Sequence, residues 1–320
     1  MTDMKAAVFE GPKTIRIRQV PMPVPGPDQV RVRLEGCGLC ASNLPVWEGR
    51  DWFEYPFDPG APGHEGWGRI DRVGKNVSRF QVGDRVAMIS AKAYAEYDTA
   101  DADTVVPLPE KLNQQLFPGE PLGCAMNIFR RSGIEAEQVV GIVGIGFLGA
   151  MLTKLATGAG AKVIAVSRRP FSLSVARECG AAEALSMEDS DKALNRVMEL
   201  TREKGCDRVI EAVGMQETLD LASRMVRVRG RLIIAGYHQD GLRTVDMQSW
   251  NWRGLDVINA HERDPAVYCR GIREAAEAVS QKKIDPAPLF THSFPLDRIG
   301  EAFETLSKRP EGFIKAVVCF

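Results

Sequence analysis

The sequence predicts an α/β protein of two domains, one built from short β-strands and one from a doubly wound parallel sheet covered by helices. Three observations carry this prediction. A chain of 320 residues is longer than one hydrophobic core usually serves. The first 110 or so residues hold short strand-like runs separated by proline and glycine. From residue 139 onward, apolar runs alternate with amphipathic helical segments.

The first third of the chain has the pattern of half-buried strands joined by loops. In residues 29–34, Val30, Val32 and Leu34 alternate with two arginines, which is the period of a strand with one face in a core. Prolines between residues 21 and 27 exclude a central strand there. The other strand-like runs are 5–9, 14–20, 66–73, 85–89 and 104–108. This part predicts an irregular barrel or sandwich that carries functional loops.

The rest of the chain alternates between strand and helix. The predicted strands cover residues 139–143, 162–166, 208–211, 231–235 and 313–318. The predicted helices cover residues 120–131, 171–179, 215–226 and 266–281. Unbroken apolar strands between amphipathic helices are typical of a parallel sheet that is covered on both faces.

Composition and charge exclude several classes of function. The chain has 41 Lys and Arg against 42 Asp and Glu, and no basic stripe that would attract nucleic acid or an anionic membrane. No stretch approaches the roughly 18 apolar residues of a membrane helix, and the first residues lack a secretory pattern. Seven cysteines in such a chain indicate reduced thiols. We therefore expect a cytoplasmic enzyme without nucleic-acid or membrane partners.

A glycine-rich loop follows the predicted strand at residues 139–143. The loop reads Gly144-Ile145-Gly146-Phe147-Leu148-Gly149 and leads into a helical segment. Gly144 permits a tight turn, Gly146 lets backbone amides approach a pyrophosphate, and Gly149 allows close packing of strand and helix. The helix N-terminus adds N–H donors and partial positive charge. Strand, loop and helix in this order predict a Rossmann-type dinucleotide site, with a purely structural turn as the alternative.

The end of the next strand predicts which dinucleotide is bound. An NAD site usually has an acidic residue there, which accepts hydrogen bonds from the ribose hydroxyls. This chain has Ser167, Arg168 and Arg169 instead. A hydroxyl and two guanidinium groups suit a 2′-phosphate through charge-assisted hydrogen bonds. We expect NADP(H), with NAD(H) as the alternative if the arginines form only a solvated turn.

Three upstream segments carry residue types that ligate metals. They are Cys37-Gly-Leu-Cys40-Ala-Ser42, Gly63-His64-Glu65 and Gly119-Glu120-Pro-Leu. Each alone has an ordinary structural explanation, because cysteines pack as small apolar residues and a lone loop histidine is more often structural than a ligand. Together with the glycine loop, Gly83-Asp-Arg-Val86 and Ile210-Glu-Ala-Val-Gly214, they resemble the zinc-containing medium-chain dehydrogenase/reductase family. The resemblance extends over essentially the whole chain.

The resemblance implies one catalytic zinc ion per chain. Cys40, His64 and Glu120 are its implied ligands, as in the sorbitol-type branch of the family. One thiolate and one carboxylate balance the charge of Zn²⁺ and leave a fourth position for water or alkoxide. A site with Cys124 in place of Glu120 is the alternative ligand set.

Two further side chains take implied roles at the same site. Glu65 is implied to lie beside the ion and to enter its coordination shell during ligand exchange. Ser42 is implied to take the substrate proton and pass it outward. The family often continues this relay through a histidine three residues later, but this chain has Pro45 there. His238 and His261 follow predicted strand ends and are candidates either for the relay or for structural roles.

The chain also departs from the family in its cysteines. Many members carry a second, structural zinc on a lobe with four closely spaced cysteines. This chain has no cysteine between Cys40 and Cys124. We therefore expect no structural zinc and no such lobe.

The implied activity is hydride transfer between a nicotinamide cofactor and a secondary alcohol or ketone, of polyol or sugar type because of the Glu120 segment. Four aromatic residues near the implied cleft either stack on such a small-molecule substrate or form core; they are Trp47, Trp52, Phe53 and Tyr55. One alternative is a metal-free, NADPH-dependent quinone or enone reductase of the same family. The other is a cofactor-binding protein without catalytic activity.

The resemblance also implies how the chain is divided and assembled. Residues 1–122 and 260–320 are expected to form a β-rich, GroES-like catalytic domain, and residues 123–259 the Rossmann-type domain. The active site is expected in the cleft between them. A homodimer or homotetramer is expected through the edge of the nucleotide-binding sheet, with Trp250 and Trp252 as candidate contacts.

Overall fold

The computed structural model describes residues 2–320. These residues contain fifteen β-strands and nine α-helices. The strands are β1 (Asp3–Gly11), β2 (Thr14–Pro21), β3 (Gln29–Gly38), β4 (Gly66–Val73), β5 (Arg85–Met88), β6 (Tyr97–Asp101), β7 (Val105–Pro107), β8 (Val139–Val143), β9 (Lys162–Ser167), β10 (Glu183–Ser186), β11 (Cys206–Glu211), β12 (Val226–Ile234), β13 (Asp256–Asn259), β14 (Phe290–Pro295) and β15 (Lys315–Cys319). The helices are α1 (Leu44–Glu48), α2 (Gly119–Ser132), α3 (Phe147–Gly158), α4 (Pro170–Glu178), α5 (Ser190–Leu200), α6 (Gln216–Met225), α7 (Met247–Arg253), α8 (Pro265–Ser280) and α9 (Ile299–Lys308).

The chain divides into two units. The first comprises the residues up to Cys124 and those from Arg263 onward, and the second comprises Ala125–Glu262. Within the described residues, no helix is both long and apolar enough to cross a membrane.

The first unit is β-rich. Seven of its strands form one sheet in the order β14-β15-β3-β4-β5-β7, with β6 also paired to β3, and β1 and β2 form an antiparallel hairpin. Val30, Val32 and Leu34 of β3 are buried at 0%, 0% and 3% exposure, which confirms the predicted alternation. Aromatic rings fill the core beside them, among them Phe9, which meets Phe303 edge to face at 5.2 Å.

The second unit holds a six-stranded parallel sheet in the order β10-β9-β8-β11-β12-β13. The chain runs outward from β8 to β10, then returns to the other side of β8 and continues through β11, β12 and β13. Such an order places a switch point at the carboxyl ends of β8 and β11, where ligands of doubly wound sheets bind. Val140, Ile142 and Val143 of β8 are fully buried, as strands covered on both faces are. The two units confirm the predicted α/β fold class, a Rossmann-type sheet together with a β-rich GroES-like domain.

The elements differ from prediction mainly at their ends and edges. β12 begins at Val226 rather than at residue 231, and α6 ends at Met225. In the first residues of β12, Val226 to Gly230, valines alternate with arginines and a glycine follows. This segment therefore lacks the apolar run of a central strand. Several shorter or amphipathic elements have no counterpart in the sequence prediction: β6, β10, β13, β14, α5, α7 and α9.

Candidate functional site

Strand pairing in the first unit brings Cys40 and the His64–Glu65 pair together. β3 and β4 are antiparallel, with Cys37 opposite Gly66, so the residues just after β3 meet those just before β4. The backbone N–H of Gly38 donates to the Glu65 carbonyl at 3.2 Å. A Cβ at residue 38 would lie 1.8 Å from Glu65 Oε2, so only glycine leaves room for this carboxylate.

The three side chains form a compact donor cluster. One ligand atom each of Cys40, His64 and Glu65 lies within 4.8 Å of the others. Across residues 2–320, no other group of three His, Cys, Asp or Glu side chains meets this criterion. Glu65 is 1% exposed, and its Oε2 atom has no hydrogen-bond partner. A cysteine thiol, an imidazole and a carboxylate whose ligand atoms lie this close together fit the preferences of zinc.

His64 is oriented for ligation by its backbone surroundings. Its Nδ1 lies 3.0 Å from the Pro62 carbonyl, which therefore accepts a hydrogen bond from it, so Nε2 is the ring nitrogen that could ligate a metal. Burial alone would lower the pKa of His64. The hydrogen bond to Cys40 and the charges of Cys40, Glu120 and Glu65 outweigh burial and raise it to about 10. The surroundings of this ring are thus strongly negative and favour a bound cation.

Lys315 lies at the candidate site and is not expected from the sequence patterns. β15 pairs with β3, with Val317 opposite Gly38, and this register brings the Lys315 side chain to Glu65. Its Nζ donates to Glu65 Oε1 at 2.6 Å and lies 2.6 Å from Oε2 without making a hydrogen bond to it. Burial would lower the pKa of Lys315, but the Glu65 charge raises it. A lysine inside an otherwise apolar strand was the available signal, because a buried charge needs a partner.

Glu120 belongs to the same neighbourhood but lies outside the donor cluster. It is in the first turn of α2, and its Oε1 accepts a hydrogen bond from Cys124 Sγ at 3.1 Å. Burial raises the pKa of Glu120, and so does the charge of Glu65, whereas the charge of His64 lowers it. Burial also raises the pKa of the Cys124 thiol well above its usual range.

Ser42 lies at the cluster, and Pro45 lies behind it. The Ser42 hydroxyl donates to Cys40 Sγ at 3.1 Å from a half-buried position. Pro45 is buried near the start of α1. It has neither an N–H nor a polar side-chain atom, so any proton path outward from Ser42 passes through another group.

The glycine loop of the second unit has the geometry of a phosphate cradle. Gly144 has φ +99°, a left-handed conformation that favours glycine, and a Cβ there would lie 2.2 Å from Val213. A Cβ at Gly149 would lie 2.0 Å from the Gly144 carbonyl oxygen, so strand and helix are in close contact. A Cβ at Gly146 would meet nothing within 4 Å, and no side chain caps α3 there. Open space before uncapped helix amides fits a bound pyrophosphate.

The residues after β9 present cationic groups next to this loop. Ser167 is buried, with its Oγ 3.4 Å from the backbone nitrogen of Arg169. Arg168 is about half exposed, and its Nη1 lies 3.8 Å from Glu217 Oε2, in the first turn of α6.

His238 and His261 both have structural partners. His238 Nε2 is 3.1 Å from Glu211 Oε2, and Arg243 Nε donates to its Nδ1 at 3.0 Å. Because Nδ1 accepts, the proton of a neutral ring lies on Nε2 and points to Glu211. The His261 ring stacks on that of Tyr237 at 5.5 Å.

Buried Glu211 organises the loops at the ends of β11 and β12. Its Oε1 accepts hydrogen bonds from the backbone amides of Val213 and Gly214, both at 2.8 Å, and from the Thr218 hydroxyl at 2.7 Å. A Cβ at Gly236 would lie 2.2 Å from the Gly214 nitrogen. These contacts fix the loop whose Val213 side chain packs on Gly144.

The aromatic residues between residues 47 and 55 mostly belong to the core. Trp47 is 6% exposed and stacks on Phe303 at 6.4 Å, and the Tyr55 hydroxyl donates to the Val46 carbonyl. Phe53 packs against the same core cluster. Trp52, by contrast, is 56% exposed.

Comparison with known proteins extends over both units. A model of the "Alcohol dehydrogenase GroES-like domain" matches residues 26–110, and one of the "Zinc-binding dehydrogenase" matches residues 148–276. Sorbitol dehydrogenase of Homo sapiens is 27% identical over 337 residues, which cover 94% of this chain and 92% of that protein.

Two solved structures have a similar fold. A zinc-binding dehydrogenase from Sinorhizobium meliloti 1021 bound to NADP has a TM-score of 0.83 at 25% identity, with all of each chain covered. Galactitol-1-phosphate dehydrogenase from Escherichia coli has a TM-score of 0.85 at 22% identity, covering 99% of this chain and 100% of that one.

Proposed function

Because this chain belongs to the zinc-type medium-chain dehydrogenase/reductase family, we propose that it is a zinc-dependent oxidoreductase that transfers a hydride between NADP(H) and a secondary alcohol or ketone. The alcohol dehydrogenase type of oxidoreductase follows from the family. The zinc dependence, the choice of NADP(H) and a polyol-like or sugar-like substrate are the proposed parts. The donor cluster of Cys40, His64 and Glu65 is the observation that carries the proposal.

Cys40, His64 and Glu120 would hold the ion, with Glu65 within reach of it. Lys315 already neutralises Glu65 across a buried ion pair, so the charge left to balance a divalent cation comes from the Cys40 thiolate and Glu120. When bound, Zn²⁺ would supply Lewis acidity that favours the alkoxide form of an alcohol.

The remaining chemistry falls to the chain's own side chains. The Ser42 hydroxyl, at 3.1 Å from Cys40 Sγ, is placed to accept a proton from a substrate hydroxyl bound at the cluster. His64 is held by the Pro62 carbonyl, which keeps Nε2 directed at the cluster. Pro45 cannot carry a proton further along α1, so we propose that water or another side chain completes the path to solvent.

The cofactor would lie on the glycine loop of the second unit. The backbone amides at Gly146 and the start of α3 would bind the pyrophosphate. Ser167, Arg168 and Arg169 carry no acidic group for ribose hydroxyls and would bind a 2′-phosphate. The NADP-bound structure with a similar fold supports this choice.

A polyol-like or sugar-like substrate is proposed from the relationship to sorbitol dehydrogenase, which covers most of both chains. The test is turnover with a panel of polyols, sugar alcohols and simple secondary alcohols, each assayed with NADP and NAD. We expect the highest kcat/KM for a polyol with NADP, and loss of turnover in Cys40→Ser and His64→Ala. Turnover of quinones or enones with NADPH, unchanged in those two variants, would favour the metal-free reductase instead. Cofactor binding without turnover of any compound would favour the non-catalytic alternative.

A further inference from the structure

We propose that Glu217 is a specificity-determining residue that opposes the binding of a 2′-phosphorylated adenosine. The inference rests on the proposed cofactor site and adds a residue to it. The sequence at the end of β9 shows only residues that would attract a phosphate. The structure adds a carboxylate that faces those residues from another element.

Three segments that are distant in sequence meet at Glu217. Its Oε2 lies 3.8 Å from Arg168 Nη1, just after β9, and its Oε1 accepts a hydrogen bond from Ser190 Oγ at 3.5 Å, at the start of α5. Glu217 itself is in the first turn of α6, which follows β11. Because β9 and β11 lie on opposite sides of β8 in the sheet, the Arg168–Glu217 pair spans the carboxyl end of β8, where the glycine loop begins.

This position is the adenosine side of a doubly wound nucleotide site. The pyrophosphate binds at the loop after the first strand, and the adenosine ribose lies toward the end of the next strand, here β9. A ribose there would lie beside Arg168, and a 2′-phosphate would compete with Glu217 for the guanidinium. The same phosphate would also be repelled by the carboxylate, because charges of like sign close together disfavour binding.

The ion pair is loose enough for this competition to occur. Both side chains are about half exposed, at 54% and 51%, and 3.8 Å is too long for a direct hydrogen bond. Exposed pairs of this kind contribute little to stability. A phosphate, by contrast, offers Arg168 short, charge-assisted bonds. Glu217 therefore lowers the affinity for the phosphorylated cofactor without being needed for the fold.

Two probes that differ only in the 2′-phosphate should respond differently to loss of the Glu217 charge. We would measure the dissociation constants of 2′,5′-ADP and 5′-AMP by calorimetry, and those of NADP and NAD by quenching of tryptophan fluorescence. Glu217→Gln should tighten binding of 2′,5′-ADP and NADP by about three- to tenfold and leave binding of 5′-AMP and NAD unchanged within twofold. The gain should shrink at high salt, because salt screens exposed charges.

Matched variants separate the local effect from a general change in charge. Asp220→Asn removes an exposed carboxylate one turn further along α6. This carboxylate accepts a hydrogen bond from Gln216, and its loss should change the affinity for neither probe. Arg168→Ala should weaken 2′,5′-ADP binding, and Glu217→Gln should yield a smaller gain in that background, because the two side chains act on the same phosphate. Thermal unfolding of each variant checks that the fold is intact.

The outcomes separate this inference from the proposed cofactor. If Glu217→Gln leaves the ratio of the two affinities unchanged, or weakens binding of 5′-AMP and NAD, Glu217 does not discriminate in this way and the inference is wrong. If Arg168→Ala leaves 2′,5′-ADP binding unchanged, the proposal of NADP(H) fails. In that case a shift in the affinity ratio for Glu217→Gln alone would still support a repulsive role for its carboxylate.

Discussion

At the scale of single residues, Glu65 and Lys315 form a buried ion pair in the first unit. Glu65 is 1% exposed and the Lys315 side chain 7% exposed, and 250 residues of sequence separate them. Two charges removed from water are tolerated only while each has the other. The pair therefore couples the position of the carboxylate to the closing strand β15.

Lys315→Met tests this coupling. It leaves Glu65 buried without its counter-charge, so we expect the metal-free protein to lose about 3–5 kcal/mol of unfolding free energy. The measurement is urea unfolding in the presence of chelator. Lys315→Met combined with Glu65→Gln should recover much of the loss, because the unpaired charge is then absent. A single variant within about 1 kcal/mol of the parent would show that the pair does not have this role.

The two carboxylates near Cys40 differ in how far their negative charge is already neutralised. This difference predicts which of them contributes more to zinc affinity. Glu65 is neutralised by Lys315, whereas the hydrogen-bond donor to Glu120 is an uncharged thiol. Glu120→Gln should therefore weaken zinc binding more than Glu65→Gln does. For Glu65→Gln we expect the zinc affinity to fall by about 10–100-fold. Competition with a fluorescent chelator measures both.

The exposed Glu110 gives a control for that series, because Glu110→Gln removes a carboxylate of the same unit away from the cluster. It should leave zinc affinity unchanged. A larger loss for Glu65→Gln than for Glu120→Gln would instead assign the ligands to Cys40, His64 and Glu65.

At the scale of elements, Asp207 ties three strands of the second unit at their amino ends. Its carboxylate accepts hydrogen bonds from the Val139 amide at 2.8 Å and from Arg227 Nε at 2.7 Å. Burial alone would raise the pKa of Asp207, but these two bonds and the nearby arginines lower it from the usual 3.8. The group therefore links β8, β11 and β12 through its ionised form.

The sign of this shift gives a pH prediction. A carboxylate whose pKa is lower in the folded state contributes stability above its unfolded pKa, and that contribution is lost as the pH falls through the folded pKa. Asp207→Asn should cost about 1 kcal/mol at pH 7, after allowance for the partial exposure of Arg227. The cost should diminish below about pH 3.8. Urea unfolding of both proteins across this range is the measurement.

Asp256→Asn provides the comparison, because Asp256 is 69% exposed and 3.6 Å from Arg231. It should have little effect at any pH. A cost for Asp207→Asn that stays constant down to the lowest pH at which the protein folds would contradict the account.

The sequence predicts some elements of this fold far better than others. β8 was predicted at its observed bounds, because residues 139–143 form a continuous apolar run between polar segments. The edge strand β13 was missed, since its four residues are mostly exposed and show no apolar run. α9 was missed although its buried residues recur at helical spacing, so a stricter search for periodicity would have found it.

The residues of the candidate site also divide into those that the sequence predicts and those that it does not. Cys40 and His64 are expected as ligands only because the order of several short motifs resembles a family, and the structure brings their ligand atoms together. Lys315 and Glu217 are not expected, because their partners come from strands and helices far away in sequence. Only the register of β15 against β3 and the order of β9 and β11 around β8 create those contacts.

At the scale of the whole molecule, the free edge of the parallel sheet in the second unit is the candidate surface for assembly. β13 ends that sheet, and Trp252 on the preceding helix α7 is 89% exposed. Trp250 is partly buried against the core of the same unit, so Trp252 is the more accessible of the two. Exposed edges with large apolar side chains are typically covered in stable proteins.

Light scattering tests this surface. We expect a mass of two or four times the 35.2 kDa of one chain for the parent, and a shift toward one chain for Trp252→Asp. Trp52→Asp changes an exposed tryptophan of the first unit and should leave the mass unchanged. A parent protein that is already a single chain at micromolar concentration would remove the assembly proposal.

We propose above that the cluster of Cys40, His64 and Glu65 marks the site of a catalytic zinc ion. The most direct test of this proposal is the zinc content of the protein purified without added metal or chelator, measured by plasma mass spectrometry beside Cys40→Ser. We expect about one zinc per chain in the parent, as one catalytic site requires, and none above background in the variant. If the parent contains no zinc but still binds NADP, the zinc site is wrong and the chain is assigned to the metal-free reductases instead.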